Sequence, residues 1–136
     1  MREGNDAILY IGCNLIRVIA ADPNAQTLWA LSTMLREQSG LTLVGEAGDA
    51  KALLRVAETQ EANVILVDRT LPGCPIASLI SKLHALTPRP FVIVMGSQSM
   101  HSRWALYAGA DVFVSKSDDP EWLLESIHGY GGQDQS

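Results

Sequence analysis

Val64-Ile65-Leu66-Val67-Asp68-Arg69-Thr70-Leu71-Pro72-Gly73 is the stretch of sequence on which the predicted fold depends. It begins with four consecutive apolar residues, three of them β-branched, which predict a strand buried on both faces, as strands of parallel sheets are. The apolar run ends at Asp68, and Pro72-Gly73 then indicates a turn. Because open α/β sheets bind ligands along the carboxyl ends of their strands, Asp68 is well placed for a functional role. The alternative is that Asp68 only begins a loop.

Length and composition indicate one globular domain. The chain has 136 residues, of which 47% are hydrophobic and 18% charged, and no apolar run approaches the roughly 20 residues of a membrane span. The net charge of −5 argues weakly against direct nucleic acid binding by this chain, since phosphate binding needs a basic face. Cys13 and Cys74 lack CxxC spacing, so we expect neither a zinc site nor a disulfide framework, and a cytoplasmic location fits best.

Strand and helix patterns alternate along the chain. Short apolar runs predict strands over residues 17–21, 41–46, 63–67, 91–95 and 112–115. Helical spacing of apolar residues predicts helices over residues 25–38, 50–60 with Asp49 as N-cap, 76–86, 100–108, and from the Asp118-Asp119-Pro120 segment to about residue 128. We therefore divide the chain into a leader at 1–15, in which residues 8–11 either add an edge strand or stay loose, a domain at 16–128, and a flexible tail at 129–136.

Five strands alternating with five helices imply βαβ units and hence a parallel sheet covered on both sides. Right-handed crossovers favour the doubly wound order 2-1-3-4-5 of a flavodoxin-like (βα)5 sandwich. In that order the first and third strands are neighbours, and Asp22 and Asp68 follow their apolar cores. Lys116 arrives at the end of the fifth strand. Two carboxylates and a lysine at one sheet edge would suit a cation and a phosphoryl group.

Three motifs then occur in order. They are IRVIAAD at residues 16–22, VILVD at 64–68 followed by Pro72-Gly73, and GADVFVSK at 109–116. Together, at this spacing and over roughly residues 16–128, they make the chain resemble the receiver domain of a two-component response regulator. VGEA at residues 44–47 resembles the receivers that precede helix-turn-helix output domains of transcription regulators.

The resemblance implies a role for each matching residue. Asp68 matches the phospho-acceptor, which takes a phosphoryl group from a phosphohistidine of a sensor histidine kinase or a phosphotransfer protein. Asp22, Asp68 and the backbone carbonyl of Thr70 match the ligands of Mg²⁺, a hard cation that offsets charge in phosphoryl transfer. Lys116 matches the lysine that pairs with the phosphoryl oxygens, and Phe113 matches an aromatic switch position. The alternatives are a solvated surface lysine and an ordinary core phenylalanine.

Two departures from the family pattern affect the expected site. Pro23 stands where a second acidic residue usually follows the first, so we expect weakened Mg²⁺ binding, with Asn24 as a candidate neutral oxygen ligand. After the fourth strand, the position of the usual Ser or Thr hydroxyl falls on Gly96. Ser97 is adjacent and could supply that hydroxyl only if the loop is displaced.

These departures leave open two main hypotheses about function. The first is a phosphorylatable receiver that switches a partner or output surface, and that is no enzyme beyond catalysing its own phosphorylation and dephosphorylation. The second is a pseudo-receiver that has kept the fold as an interaction or dimerisation module independent of phosphate. A flavodoxin-like nucleotide or flavin protein is poorly supported, because no GxGxxG or P-loop spacing follows a strand.

Partner surfaces are predicted from the fourth helix. Small residues there suit packing on the sheet, which leaves Trp104 and Tyr107 pointing outward, three residues apart. Exposed aromatic residues are enriched at interfaces, so this helix, the fifth strand and the last helix are a candidate homodimer face. The alternative is that both rings lie along the helix groove.

Several other residues are expected to be structural. We predict surface positions for His84, His101 and His128, and packing rather than binding for Trp29 and Trp122. A last group looks like helix-terminus electrostatics, namely Asp118, Asp119 and Glu121.

Overall fold

The computed structural model of the protein describes residues 15–97 and 102–134. Five strands and five helices alternate along these ranges. The strands are β1 (Ile16–Ala21), β2 (Leu41–Ala47), β3 (Val64–Asp68), β4 (Phe91–Gly96) and β5 (Val112–Ser115). The helices are α1 (Ala25–Arg36), α2 (Ala50–Thr59), α3 (Ile76–His84), α4 (Ser102–Tyr107) and α5 (Pro120–Asp134). None of the helices in the described ranges is both long and apolar enough to cross a membrane.

The strands form one parallel sheet in the order β2-β1-β3-β4-β5, which confirms the predicted topology. In the register of β1 and β3, Ala21 lies opposite Val67. On the other side of β3, Asp68 lies opposite Met95 of β4. The carboxyl ends of β1 and β3 therefore meet at one edge, at the switch point where ligands of such sheets bind.

Strand β3 is buried along its whole length. Its alternating side chains serve two separate cores, because successive residues of a strand point to opposite faces. Ile65 and Val67 pack in the core beneath α2 and α3, whereas Val64 and Leu66 pack in the core beneath α1 and α5. Burial on both faces is the reason for the uninterrupted apolar run in the sequence.

The helix ends follow local signals, with one difference at the end of α5. Asp49 caps α2 by accepting a hydrogen bond from Ala52 N at 2.8 Å, which confirms the predicted N-cap. Helix α5 continues to Asp134, so residues 129–134, which belong to the segment predicted as a flexible tail at 129–136, are helical. Helix α4 is described only from Ser102, and the predicted start at residue 100 lies outside the described residues, as do residues 8–11 and Cys13.

The prediction that Trp29 and Trp122 pack against the protein was wrong. Their residues are 68% and 60% exposed. Each tryptophan is one position away from the stripe that its helix buries, on which Leu35 of α1 and Ile127 of α5 are fully covered. One residue corresponds to about 100° around a helix, which is enough to turn a side chain to solvent.

His84 is not the surface residue that its sequence context indicated. Its Nε2 lies 2.9 Å from Asp111 Oδ2, and both side chains are 17% exposed. Asp111 also accepts hydrogen bonds from Val92 N at 2.8 Å and from the Arg89 guanidinium at 3.1 Å. Burial alone would raise the pKa of Asp111, but these donors outweigh it and lower the pKa below its usual value. This cluster joins α3 and β5 at the sheet edge opposite Asp68.

Replacing Asp111 with Asn is expected to lower the free energy of unfolding by about 1–3 kcal/mol at neutral pH, because partly buried donors lose a charged acceptor. A carboxyl whose folded-state pKa is depressed stabilises the fold above its unfolded pKa, and that stabilisation is lost as the pH falls through the folded value. The difference between wild type and Asp111→Asn should therefore narrow below about pH 4. Urea unfolding as a function of pH checks this, and a difference that is constant on acidification would contradict it.

Gly45 marks a close contact between β2 and α2. The pairing of β1 with β2 shifts register beside it, and a Cβ at Gly45 would overlap Val56 Cγ1. Gly45→Ala should lower the free energy of unfolding by about 1–3 kcal/mol through overpacking. Gly129→Ala is the matched control, because no atom lies within 4 Å of its added Cβ. Urea unfolding should show a lower free energy of unfolding for Gly45→Ala and no decrease for Gly129→Ala. Adding Val56→Ala to Gly45→Ala should restore part of the lost free energy, because it removes the overlapping methyl group.

Candidate functional site

Three charged side chains meet at the carboxyl edge of the sheet. Asp22 directly follows β1, Asp68 ends β3 and Lys116 directly follows β5. Lys116 Nζ lies 2.5 Å from Asp22 Oδ2 and also forms an ion pair with Asp68 Oδ2. Asp22 is 1% exposed and Asp68 is 6% exposed. The structure thus brings together the two carboxylates and the lysine that the strand order was expected to join.

Asp68 is held as a carboxylate by its donors. Its Oδ1 accepts hydrogen bonds from Thr70 N at 2.7 Å and from Thr70 Oγ1, while its Oδ2 faces Lys116. Burial alone would raise the pKa of Asp68, but the hydrogen bonds from Lys116 and Thr70 outweigh it and lower the pKa. Asp68 is therefore ionised at neutral pH, as a nucleophilic carboxylate must be.

Lys116 neutralises part of the charge of this cluster. Burial alone would lower its pKa, but its hydrogen bonds to Asp22 and Asp68 outweigh that and raise the pKa. Its side chain is 30% exposed, so Lys116 is only partly shielded from solvent. Two carboxylates and one ammonium leave one net negative charge, which suits a further cation.

The donor set of the cluster fits Mg²⁺ that keeps several waters. Mg²⁺ is commonly bound through one or two carboxylates together with substrate phosphate oxygens. Asp22 and Asp68 can supply the carboxylates, although no group of three or more His, Cys, Asp or Glu side chains suited to a metal occurs in the described ranges. Asn24 Oδ1, which was considered as a neutral oxygen ligand, is already engaged as the N-cap of α1, where it accepts from Thr27 N at 2.9 Å.

The residues at the end of β4, Gly96 and Ser97, supply no side-chain hydroxyl that hydrogen-bonds to Asp68. Gly96 is buried, and a Cβ there would lie 2.9 Å from both Cε1 and Cζ of the half-buried Phe113 ring. Ser97 is exposed, and the hydrogen bonds that reach the Asp68 carboxylate within the described ranges come from Thr70 and Lys116. Within the described ranges Ser97 therefore makes no hydrogen bond to Asp68.

The hydroxyl beside Asp68 belongs instead to Thr70, to which sequence reasoning gave only a role for its backbone carbonyl. The signal was present in the sequence as Asp-x-Thr at a strand end. Asp side chains commonly accept from the backbone two residues on, and this turn brings the Thr70 side chain back to Asp68.

Trp104 of α4 lies on a groove next to this cluster. It is 44% exposed, and the Arg69 guanidinium is 5.9 Å from its ring centroid, within the range of a cation–π interaction. Leu71 and the free thiol Cys74 also line the groove. The side chain of Tyr107, the other predicted interface residue, lies outside the part of the chain whose side chains are described.

Comparison with known proteins agrees with this fold and identifies a family. A family model for the response regulator receiver domain matches residues 18–128. The uncharacterized transcriptional regulatory protein YhcZ of Bacillus subtilis is 28% identical over 87% of this chain and 56% of its own. The nitrate/nitrite response regulator protein NarL of Escherichia coli is 26% identical over 82% of this chain and 52% of its own.

A solved structure shows the same fold. The CheY-like response regulator receiver domain protein from Methanospirillum hungatei is 26% identical, with a TM-score of 0.74, and the match covers 89% of this chain and 97% of that one. The chain spans about half the length of the curated relatives it matches.

Proposed function

The chain belongs to the response regulator receiver domain family, and on that premise we propose that Asp68 accepts a phosphoryl group from a sensor histidine kinase or a phosphotransfer protein. The observation that carries the proposal is the buried cluster of Asp68, Asp22 and Lys116 at the switch point of the sheet. Asp68 is ionised, part of its charge is compensated, and it lies at the edge where ligands of such sheets bind.

The proposed step is a nucleophilic substitution at phosphorus. A carboxylate oxygen of Asp68 forms a bond to the phosphorus atom while the bond between phosphorus and the histidine nitrogen breaks. The electron pair of the broken bond stays on the imidazole nitrogen, and the product is an acyl phosphate on Asp68. Lys116 offsets repulsion between the anions, and its flexible ammonium can follow the charge from the carboxylate to the phosphoryl oxygens.

Mg²⁺ is the proposed cofactor, and it would supply further compensation of charge on the phosphoryl oxygens when bound. Asp22, Asp68 and the backbone carbonyl of Thr70 would hold it. Because Pro23 offers no carboxylate, the affinity for Mg²⁺ should be low for such a site. Asp22 also keeps Lys116 at the cluster through its Oδ2.

Receiver domains are signalling modules, and the proposed consequence of phosphorylation is a change at a surface that meets a partner or an output domain. A NarL-type helix-turn-helix output, in a cytoplasmic transcription regulator, is the proposed context, because this chain matches about half of each such relative. The exposed indole of Trp104 supports a homodimer or partner contact on α4, beside the groove that it lines with Arg69. That this contact extends over β5 and α5 is part of the proposal. Catalysis is limited in this proposal to its own phosphorylation and dephosphorylation.

A second candidate is a pseudo-receiver that binds partners without phosphate. Two observations favour it: Pro23 replaces a carboxylate, and the Phe113 ring covers Gly96 where a hydroxyl residue was expected. In that case a partner should bind wild type and Asp68→Asn equally well.

Intact-mass spectrometry after incubation with acetyl phosphate, with and without Mg²⁺, tests the first candidate. A phosphoryl-sized gain that depends on Mg²⁺ is the expected result. Binding of beryllofluoride, followed by NMR, serves as a second probe that needs no kinase. If a sample with native circular dichroism shows no mass gain and no binding of beryllofluoride, the first candidate is rejected and the pseudo-receiver is favoured.

A further inference from the structure

We infer that the Thr70 hydroxyl is the side-chain hydroxyl that binds the phosphoryl group on Asp68, and that it couples this group to the loop between β3 and α3, residues 69–75. The inference rests on the proposed function and adds a positioning residue to it. It also names the segment that would respond to the phosphoryl group.

The hydrogen-bond donors around Asp68 are the first reason. Within the described ranges, Lys116 Nζ approaches Oδ2, while Thr70 N and Thr70 Oγ1 approach Oδ1. Thr70 Oγ1 is thus the neutral side-chain donor already in contact with the carboxylate. Thr70 is exposed and lines the groove beside Asp68, so its side chain lies at the open side of the site.

The packing at the end of β4 is the second reason. A Cβ at Gly96 would overlap the Phe113 ring, with Cε1 and Cζ both 2.9 Å away, and it would also lie 3.4 Å from Arg69 Cδ. The ring occupies the space that a hydroxyl side chain at this position would need. A side-chain hydroxyl that donates to the phosphoryl oxygens must therefore come from a residue other than the one at position 96.

The movement of charge during the proposed transfer gives the hydroxyl a reason to change partner. In the acyl phosphate the carboxyl group of Asp68 is neutral, and the negative charge lies on the phosphoryl oxygens bonded to it. Hydrogen bonds to charged acceptors are roughly twice as strong as those between neutral groups. Rotation about the Cα–Cβ bond of Thr70 moves Oγ1 away from Asp68 Oδ1, its present acceptor. We therefore expect the hydroxyl to turn from the carboxyl oxygen to a phosphoryl oxygen.

The loop that contains Thr70 is tightly joined to the start of α2. Pro72 O accepts a hydrogen bond from Ala50 N at 2.8 Å. Gly73 has a φ of 118°, and a Cβ there would be 3.0 Å from Ala50 Cβ, so the loop has little space to move independently. Leu71 is buried beside them. A displacement of Thr70 should therefore reach Ala50.

Thr70→Val and Thr70→Ser test the inference, with beryllofluoride and Mg²⁺ as the probe. Valine matches threonine in shape and keeps the backbone carbonyl but lacks the hydroxyl, whereas serine keeps the hydroxyl. In ¹H–¹⁵N NMR spectra of wild type, beryllofluoride should shift the amide signals of Leu71 and Ala50. For Thr70→Val we expect about tenfold weaker beryllofluoride binding and loss of most of these shifts at saturation. Thr70→Ser should retain both.

The outcomes separate this inference from the proposed function. If wild type neither binds beryllofluoride nor gains a phosphoryl group, the proposed function fails. If wild type does both and Thr70→Val matches it in affinity and amide shifts, the inference is overturned while the proposed function stands. Weaker binding by Thr70→Val with full amide shifts would overturn the coupling to the loop. Urea unfolding of each variant shows whether the fold is intact, which the exposed position of Thr70 predicts.

Discussion

Asp68→Asn is expected to abolish the phosphoryl gain completely. Asn offers no anionic oxygen to attack phosphorus, and an amide is a very poor nucleophile for this transfer. The fold should persist, because Lys116 keeps its contact with Asp22 and the amide oxygen can still accept from Thr70. Intact-mass spectrometry after incubation with acetyl phosphate and Mg²⁺ gives the result directly.

Asp111→Asn is the matched control for this experiment. It makes the same change at a carboxylate of the same sheet, on the edge opposite Asp68, and that carboxylate is bound by His84, Arg89 and Val92. It should gain a phosphoryl group as wild type does, despite its lower stability. A gain that persists in Asp68→Asn would show that another residue accepts the group and would remove Asp68 from the proposed role.

Lys116→Met should have the second large effect, this time on stability as well as on phosphorylation. Methionine keeps an unbranched apolar side chain, one atom shorter than that of lysine, but leaves Asp22 and Asp68 facing each other without a cation. Removing one partner of a buried ion pair costs about 3–5 kcal/mol, and the exposed part of Lys116 reduces this to about 2–3 kcal/mol. Phosphoryl gain should also slow markedly, since the incoming anion meets uncompensated carboxylates.

The pH dependence gives this effect a specific signature. Asp68 has a depressed pKa when folded, so its stabilisation exists above the unfolded pKa and is lost as the pH falls through the folded value. Lys116 has a raised pKa when folded, so its stabilisation exists below the unfolded pKa and is lost as the pH rises through the folded value. The difference between wild type and Lys116→Met should be largest between about pH 5 and pH 10 and should shrink on acidification, when a carboxylate of the variant becomes protonated.

Urea unfolding across this range checks the prediction, with Lys82→Met as the control. Lys82 is exposed on α3, so its loss should change the free energy of unfolding by less than about 0.5 kcal/mol. Equal unfolding curves for Lys116→Met and wild type at neutral pH would contradict a stabilising role of the cluster. Both a receiver and a pseudo-receiver should lose stability in Lys116→Met. Only a receiver should show a phosphoryl mass gain in wild type that is absent from Asp68→Asn.

The sequence alone determined the architecture of this protein. The apolar run of β3 is short and rich in β-branched residues, which favours a strand covered on both faces. The regular alternation of strand and helix patterns favours a parallel sheet. The handedness of the crossovers restricts the possible strand orders, and the order chosen among them, 2-1-3-4-5, brings Asp22, Asp68 and Lys116 to one edge. The Asp49 cap was predictable for a similar reason, because the signal and its partner are three residues apart.

Tertiary structure decided the contacts between side chains from different elements. The Phe113 ring over Gly96, the pairing of His84 with Asp111 and the donors around Asp68 each depend on positions and rotamers that are set by packing. The solvent exposure of Trp29 and Trp122 depends on a rotation of about 100° around each helix.

The candidate site shows the same division. Its charged residues were found from the sequence because each stands at the end of a strand, and strand ends are local features. The sequence placed the usual hydroxyl position on Gly96 and offered Ser97 only for a displaced loop. The hydroxyl that contacts Asp68 in the structure is that of Thr70, because local spacing does not show which side chain a turn brings back to the carboxylate. Asp22 and Lys116 are 94 positions apart in the sequence. The distance between their side chains is defined only when the whole sheet and its two cores are assembled. Sequence patterns therefore fix which elements meet, and close packing fixes which atoms touch.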